Sequence, residues 1–152
     1  MITGLSIAIL GAVLAVSLAS IGSSIGVSIA GQVGSGILSE EPEKFISVLV
    51  LEALPGSQAI HGCVSAFMAI NTMTNLGEVS LGAGSAILFA CLPIAIAGLF
   101  SGWLQGKVSV AGMNIVAKQP KDFVKAVVLS AMVETYAIIG LLTTILLLGK
   151  VS

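Results

Sequence analysis

The chain has 152 residues, 57% of them hydrophobic and only 9% charged, with a formal charge of −1. Soluble domains carry about 25% charged residues, so this composition, with a mean hydropathy of +1.14, excludes a soluble globular protein. There is no arginine and no basic cluster, which excludes a nucleic-acid surface.

A helix crosses the hydrocarbon core in about 20 residues, and four apolar segments fill almost the whole chain, leaving no room for an extramembrane domain. The expected fold is all-α, with four transmembrane helices. The first segment runs from about residue 5 to 38. It lacks the basic n-region of a cleaved signal, the first lysine being Lys44, so it reads as a membrane span. Gly22, Gly26, Ala30 and Gly34 recur every four residues, as do Ser20, Ser24 and Ser28. Each set falls on one helix face and lets another backbone approach.

The polar loop 39–44 contains Pro42, which blocks continuation of the helix. The second segment, about 45–75, holds Glu52, Pro55, Ser57, Gln58 and His61. Leu54, Ser57, Gln58 and His61 share one stripe. Pro55 lacks an N–H, frees the carbonyl of Leu51 and predicts a kink. The third segment, about 81–117, carries a second stripe of Gly98, Gly102 and Gly106, with Pro93 predicting a further kink. After the loop 118–122, the fourth segment runs from about 123 to 148. Cys63 and Cys91 lie in apolar stretches and read as small packing residues.

The halves repeat. At an offset of 78 residues, Pro42 falls on Pro120, Phe45 on Phe123, Leu51 on Leu129, Ala59 on Ala137 and Gly62 on Gly140. The chain therefore reads as a duplicated helical hairpin, 1–78 and 79–152, with both polar loops on one side. Five of the lysines lie at or near those loops and only Lys150 at the other end. The positive-inside rule puts loops 39–44 and 118–122 in the cytoplasm and the termini on the opposite side of the cell membrane.

Glu134 lies in the apolar run AMVETYAIIGLLTTILLL. A charge at bilayer depth costs at least roughly 2.5–3.5 kcal/mol on insertion scales, so Glu134 is a candidate functional residue. It lies about 21 Å along its helix from Pro120. Gln105, Ser57 and Gln58 lie at a similar distance from their own polar loops. Four polar side chains from three segments thus share one depth. Each alone has a bland reading, interhelical glue for the glutamines and a backbone bond for the serine. Together they offer hard oxygen donors, suited to a small hard cation and not to zinc or copper. One carboxylate neutralises one monovalent cation. Glu52 is either a second acid at the site or part of an access path.

The segments LEALPGSQAIHG, GLFSGWLQGKV and AMVETYAIIG resemble the proteolipid subunits of V-type and A-type rotary ATPases, and among them the bacterial sodium-pumping form. The resemblance covers essentially the whole chain. It implies a ring of copies that carries Na⁺ or H⁺ on one glutamate per four-helix subunit. It further implies Na⁺ ligands in the Glu134 carboxylate, the Gln105 and Gln58 side chains, the Ser57 hydroxyl and the Leu54 carbonyl. Ser57 stands where that form has threonine, His61 where it has a tyrosine that bonds the carboxylate, and Glu52 where it has glutamine. The implied partners are other copies, a stator subunit bearing an arginine, a central stalk at the cytoplasmic loops and the bilayer. The chain has no GxxxxGK[ST] loop, so it is expected to be a non-catalytic, ion-translocating subunit. A rotor carrying H⁺ and a small secondary transporter are the alternatives.

Overall fold

A computed structural model describes residues 3–152, and among these it is helical with no strand. Helix α1 spans Gly4–Glu40, α2 Phe45–Ala53, α3 Ser57–Leu76, α4 Leu81–Lys118 and α5 Phe123–Leu148. The ends follow from local chemistry. The Thr3 hydroxyl accepts from Ser6 N–H at the start of α1, and the Ser80 hydroxyl accepts from Ala83 N–H at the start of α4. Both satisfy amides that a helix N-terminus leaves without partners. Pro42 and Pro120 each begin a 3₁₀ turn that reverses the chain. Gly77 takes φ +68° in the turn between the hairpins, a region that glycine enters without a Cβ penalty.

Three helical stretches are long and apolar enough to cross a membrane: Gly4–Glu40, Leu81–Lys118 and Pro120–Leu148. The expected fourth crossing is divided. A 3₁₀ turn at Leu54–Gly56 separates α2 from α3. Leu54, Gly56 and Ser57 keep right-handed helical dihedrals, so the chain continues through the break. Pro93 does not divide α4, which runs as one helix from Leu81 to Lys118.

The most extensive packing joins α1 to α4. The two run parallel and in step, Gly11 against Leu88, Gly22 against Leu99 and Gly26 against Gly102. A Cβ on Gly102 would stand 2.7 Å from Ser23 N, so backbone meets backbone there, as the glycine stripes predict. The α2–α3 arm packs antiparallel on α1, with Val48 over Gly34, Pro55 over Gly26 and Gly62 against Ala15. Helix α5 packs antiparallel on α4, with Ala126 at Gly112 and Gly140 at Pro93. At the loop end, Lys44 Nζ donates to Ala117 O at 2.6 Å and pairs with Glu41. It thereby occupies a C-terminal carbonyl of α4 and complements the negative end of that helix dipole.

The buried apolar side chains form two clusters. One contains Ala8, Ala15, Met73, Ile87 and Ile94; the other contains Ala30, Val48, Leu51, Met113 and Val116. Between them lie the buried polar residues Ser23, Gln58, Ser101, Gln105, Ser109 and Ser130. The molecule has a polar layer in mid-height, capped by apolar packing above and below.

Candidate ion-binding site

The break at Pro55 builds one wall of this layer. Leu54 O accepts the Ser57 N–H of the 3₁₀ turn, and the Ser57 hydroxyl lies 3.1 Å from the same carbonyl. Gln58 Oε1 stands 3.5 Å from that hydroxyl. Three oxygens of consecutive turns therefore gather around Ser57. Ser23 of α1 supports the break: its hydroxyl accepts Ala59 N–H at 2.9 Å.

Gln58 reaches across to α4 and donates its amide to Gln105 Oε1. Both side chains are fully buried. Gln105 Nε2 is also buried and has no partner. An unpaired amide donor in a dry interior costs about 1–3 kcal/mol, so its orientation points to an acceptor.

Glu134 stands level with it. Ser109 and Ser130 share a hydrogen bond at 2.8 Å, and Ile94 N–H donates to Thr144 Oγ1 at 3.3 Å. That antiparallel register of α4 and α5 sets Glu134 across from Gln105. Ser130 and Ala137, one turn to either side, are fully buried, and Glu134 itself is half-buried. Glu134 thus lies on the stripe of α5 that faces the protein. Among the described residues it takes part in no hydrogen bond or ion pair.

The structure joins Leu54, Ser57, Gln58 and Gln105 through direct contacts and brings Glu134 to their level without a bond. His61 is half-buried one turn from Gln58, with Nδ1 buried and unpartnered. Glu52 lies elsewhere. Its Oε1 is 2.7 Å from where a Cβ on Gly31 would stand, so its carboxylate covers α1 and does not join the glutamine pair. Among the described residues no three His, Cys, Asp or Glu side chains cluster as metal ligands.

Ser23 and Ser101 belong to this layer without having stood out in the sequence. The spacing Ser101, Gln105, Ser109 along one face of α4 is the signal that could have found the second of them. The adjoining Gly98–Gly102–Gly106 stripe masks it, because that stripe accounts for the close packing by itself.

A family model for the C subunit of ATP synthase matches residues 10–69 and, 78 residues on, residues 88–147. The V-type sodium ATPase subunit K of Enterococcus hirae is 43% identical over 145 residues, covering 95% of this chain and 91% of that protein. The A-type ATP synthase subunit K of Methanocaldococcus jannaschii is 38% identical, covering 97% of this chain and 64% of its own length. The human 16 kDa proteolipid of the V-type proton ATPase is 27% identical, covering 94% and 91%.

Proposed function

Since the chain belongs to the family of ATP synthase C subunits, as a non-catalytic proteolipid rotor subunit of a V/A-type ATPase, we propose that each copy carries one Na⁺. The carboxylate of Glu134, the side-chain oxygens of Gln58 and Gln105, the Ser57 hydroxyl and the Leu54 carbonyl would hold it. The observation that carries this reading is the orphaned Gln105 Nε2, level with Glu134. The carboxylate accepts that N–H on one oxygen and keeps lone pairs for a cation beside Gln58 and Ser57. His61 Nδ1 is a second group available to orient it. Glu52 stands outside the site, on the path toward the polar loops. The sodium ATPase relative supports the choice of ion.

The mechanism is electrostatic. An ionised Glu134 is costly against lipid, and a cation at Glu134 cancels its charge. The loaded ring turns past lipid. At the stator, an arginine displaces the cation and releases it to a half-channel. ATP hydrolysis or synthesis elsewhere in the complex is coupled to that rotation. The α1–α4 pair, with its small residues, lines the inner wall of the ring, and α2–α3 and α5 face outward. Loops 39–44 and 118–122 lie in the cytoplasm, where the central stalk docks. Family membership displaces the secondary-transporter alternative.

The second reading is the same rotor carrying H⁺, favoured by the relatives in V-type proton ATPases and needing only the carboxylate. Radioactive sodium binding to the purified ring separates the two: one Na⁺ per chain, lost in Glu134→Gln, supports the sodium reading, and no binding to the unaltered ring leaves only H⁺.

A further inference from the structure

At an offset of 78 residues, Glu52 falls on Ser130 and Gly31 on Ser109, so one contact of the repeat exists in two forms. In the second hairpin it is the Ser109–Ser130 hydrogen bond at 2.8 Å, with both side chains fully buried. In the first hairpin a carboxylate stands over a glycine. Glu52 Oε1 is 2.7 Å from where a Cβ on Gly31 would lie, and both residues are half-buried. Among the described residues Glu52 takes part in no hydrogen bond or ion pair. The seam between α4 and α5 is thus shut at this level by a satisfied pair, whereas the seam between α1 and α2 holds an acid without a partner. Ionisable groups within membrane helices mark ion routes.

The surroundings differ in the same sense. Ser28, Gln32, Ser35 and Ser39 recur every three or four residues and so share one face of α1 with Gly31, and all four are exposed. Their counterparts are Gly106, Val110, Met113 and Ala117, each buried or half-buried. Ser35 Oγ donates to Gly31 O at 2.8 Å, Ser39 Oγ to Gly36 O at 2.7 Å, and Gln32 Nε2 to Ser28 Oγ at 3.3 Å. These bonds use donors, so hydroxyl lone pairs and Gln32 Oε1 remain for a cation. A carboxylate, an amide oxygen and hydroxyls are hard donors of the same kinds as those around Gln58. At the loop end Glu40 and Glu43 are exposed where the second hairpin has Lys118 and Lys121. The seam that carries the unpaired acid is therefore also the one whose mouth attracts cations.

We propose that the α1–α2 seam is the cation's route between the loop end and the Glu134 site, and that Glu52, over Gly31, is a transit site for Na⁺ on that route; the inference rests on the sodium reading above. The inner end of the seam has room. Gly56 is one helical turn from Glu52 and adjoins Ser57, and a Cβ on Gly56 would meet only Val27 Cγ2, at 3.8 Å. With one carboxylate and neutral oxygens from a single face of α1, the transit site holds its cation weakly, as a step on a path requires. A fixed negative charge part-way along lowers the barrier to entry and to exit alike. It sets the rate of exchange and leaves affinity to the inner site.

Exchange of radioactive sodium on the purified, preloaded ring, read beside equilibrium binding, tests this. Glu52→Gln keeps the shape and removes the charge. Exchange is expected to slow about tenfold or more at an affinity within about twofold, since a charge on an approach raises rates by about 10–1000-fold. Gly31→Ser combined with Glu52→Ser copies into the first hairpin the pair that already packs in the second, and it is expected to slow exchange likewise. A packing role alone predicts faster exchange or weaker binding in these variants, not slower exchange at equal affinity. Rings intact by native mass spectrometry that exchange at the unaltered rate in either variant overturn the transit site and leave the inner sodium site standing. A large loss of affinity in Glu52→Gln also overturns it, by placing Glu52 in the inner site. An unaltered ring that binds no Na⁺ overturns the sodium reading and the transit site with it.

Discussion

Gln58 and Gln105, 47 positions apart in the chain, share a hydrogen bond in which both side chains are fully buried. The pair closes the polar layer between the α2–α3 arm and α4, and it leaves Gln105 Nε2 without a partner. Interhelical polar bonds in membranes average only about 0.6 kcal/mol. The pair therefore adds little to stability, and the ion-binding role proposed for it gives its burial a purpose that stability does not.

Gln105→Ala is expected to weaken Na⁺ binding about tenfold or more, since a hydrogen bond to a charged group is worth about 1.5–3 kcal/mol. The ring is expected to survive. Sodium titration and native mass spectrometry check the two halves, and unchanged affinity would reduce the pair to helix glue.

Glu52→Gln is expected to leave Na⁺ affinity within about twofold, because the Glu52 carboxylate covers Gly31 of α1 and contacts none of the proposed ligands. A loss of about tenfold, equivalent to about 1.4 kcal/mol, would place Glu52 in the site after all.

Gly22→Val and Gly36→Ala are expected to part in opposite directions. A side chain on Gly22 collides with the α4 backbone, while nothing lies within 4 Å of a Cβ on Gly36. Thermal melting in detergent is expected to fall sharply for the first. For the second it stays level or rises, since alanine gains up to about 1 kcal/mol over glycine in a helix.

Lys44→Met removes the donor from Ala117 O. The expected loss is about 1.5–3 kcal/mol, with faster amide hydrogen exchange confined to the last turn of α4. Uniform exchange along α4 would mean that the lysine is not the tie between the two ends.

The hairpins, their 78-residue spacing, the three-segment origin of the polar layer and the disturbance at Pro55 were legible in the sequence, because glycine stripes, prolines and a lone membrane acid each have a local physical meaning. The matches at 10–69 and 88–147 repeat the same spacing. The division of the second crossing into α2 and α3 was legible only as a kink, since the support at the break comes from another helix: Ser23 Oγ of α1 accepts the Ala59 N–H. At Pro93, by contrast, α4 continues without interruption between α1 and α5. The position of Glu52 over Gly31 was hidden too, because side-chain direction at an interface depends on where a glycine on the other helix leaves room. The Ser109–Ser130 bond, which fixes the level of Glu134, joins two residues that look ordinary one at a time.

Carbodiimide labelling of Glu134 in the purified ring, at fixed pH and with Na⁺ varied, tests the central claim most directly. The reagent attacks the protonated carboxyl, and a bound cation excludes the proton. Labelling is expected to slow in a saturable way as Na⁺ rises, and to lose that dependence in Gln105→Ala. Labelling that proceeds at one rate across all Na⁺ concentrations would contradict a sodium site at Glu134 and leave the proton rotor in its place.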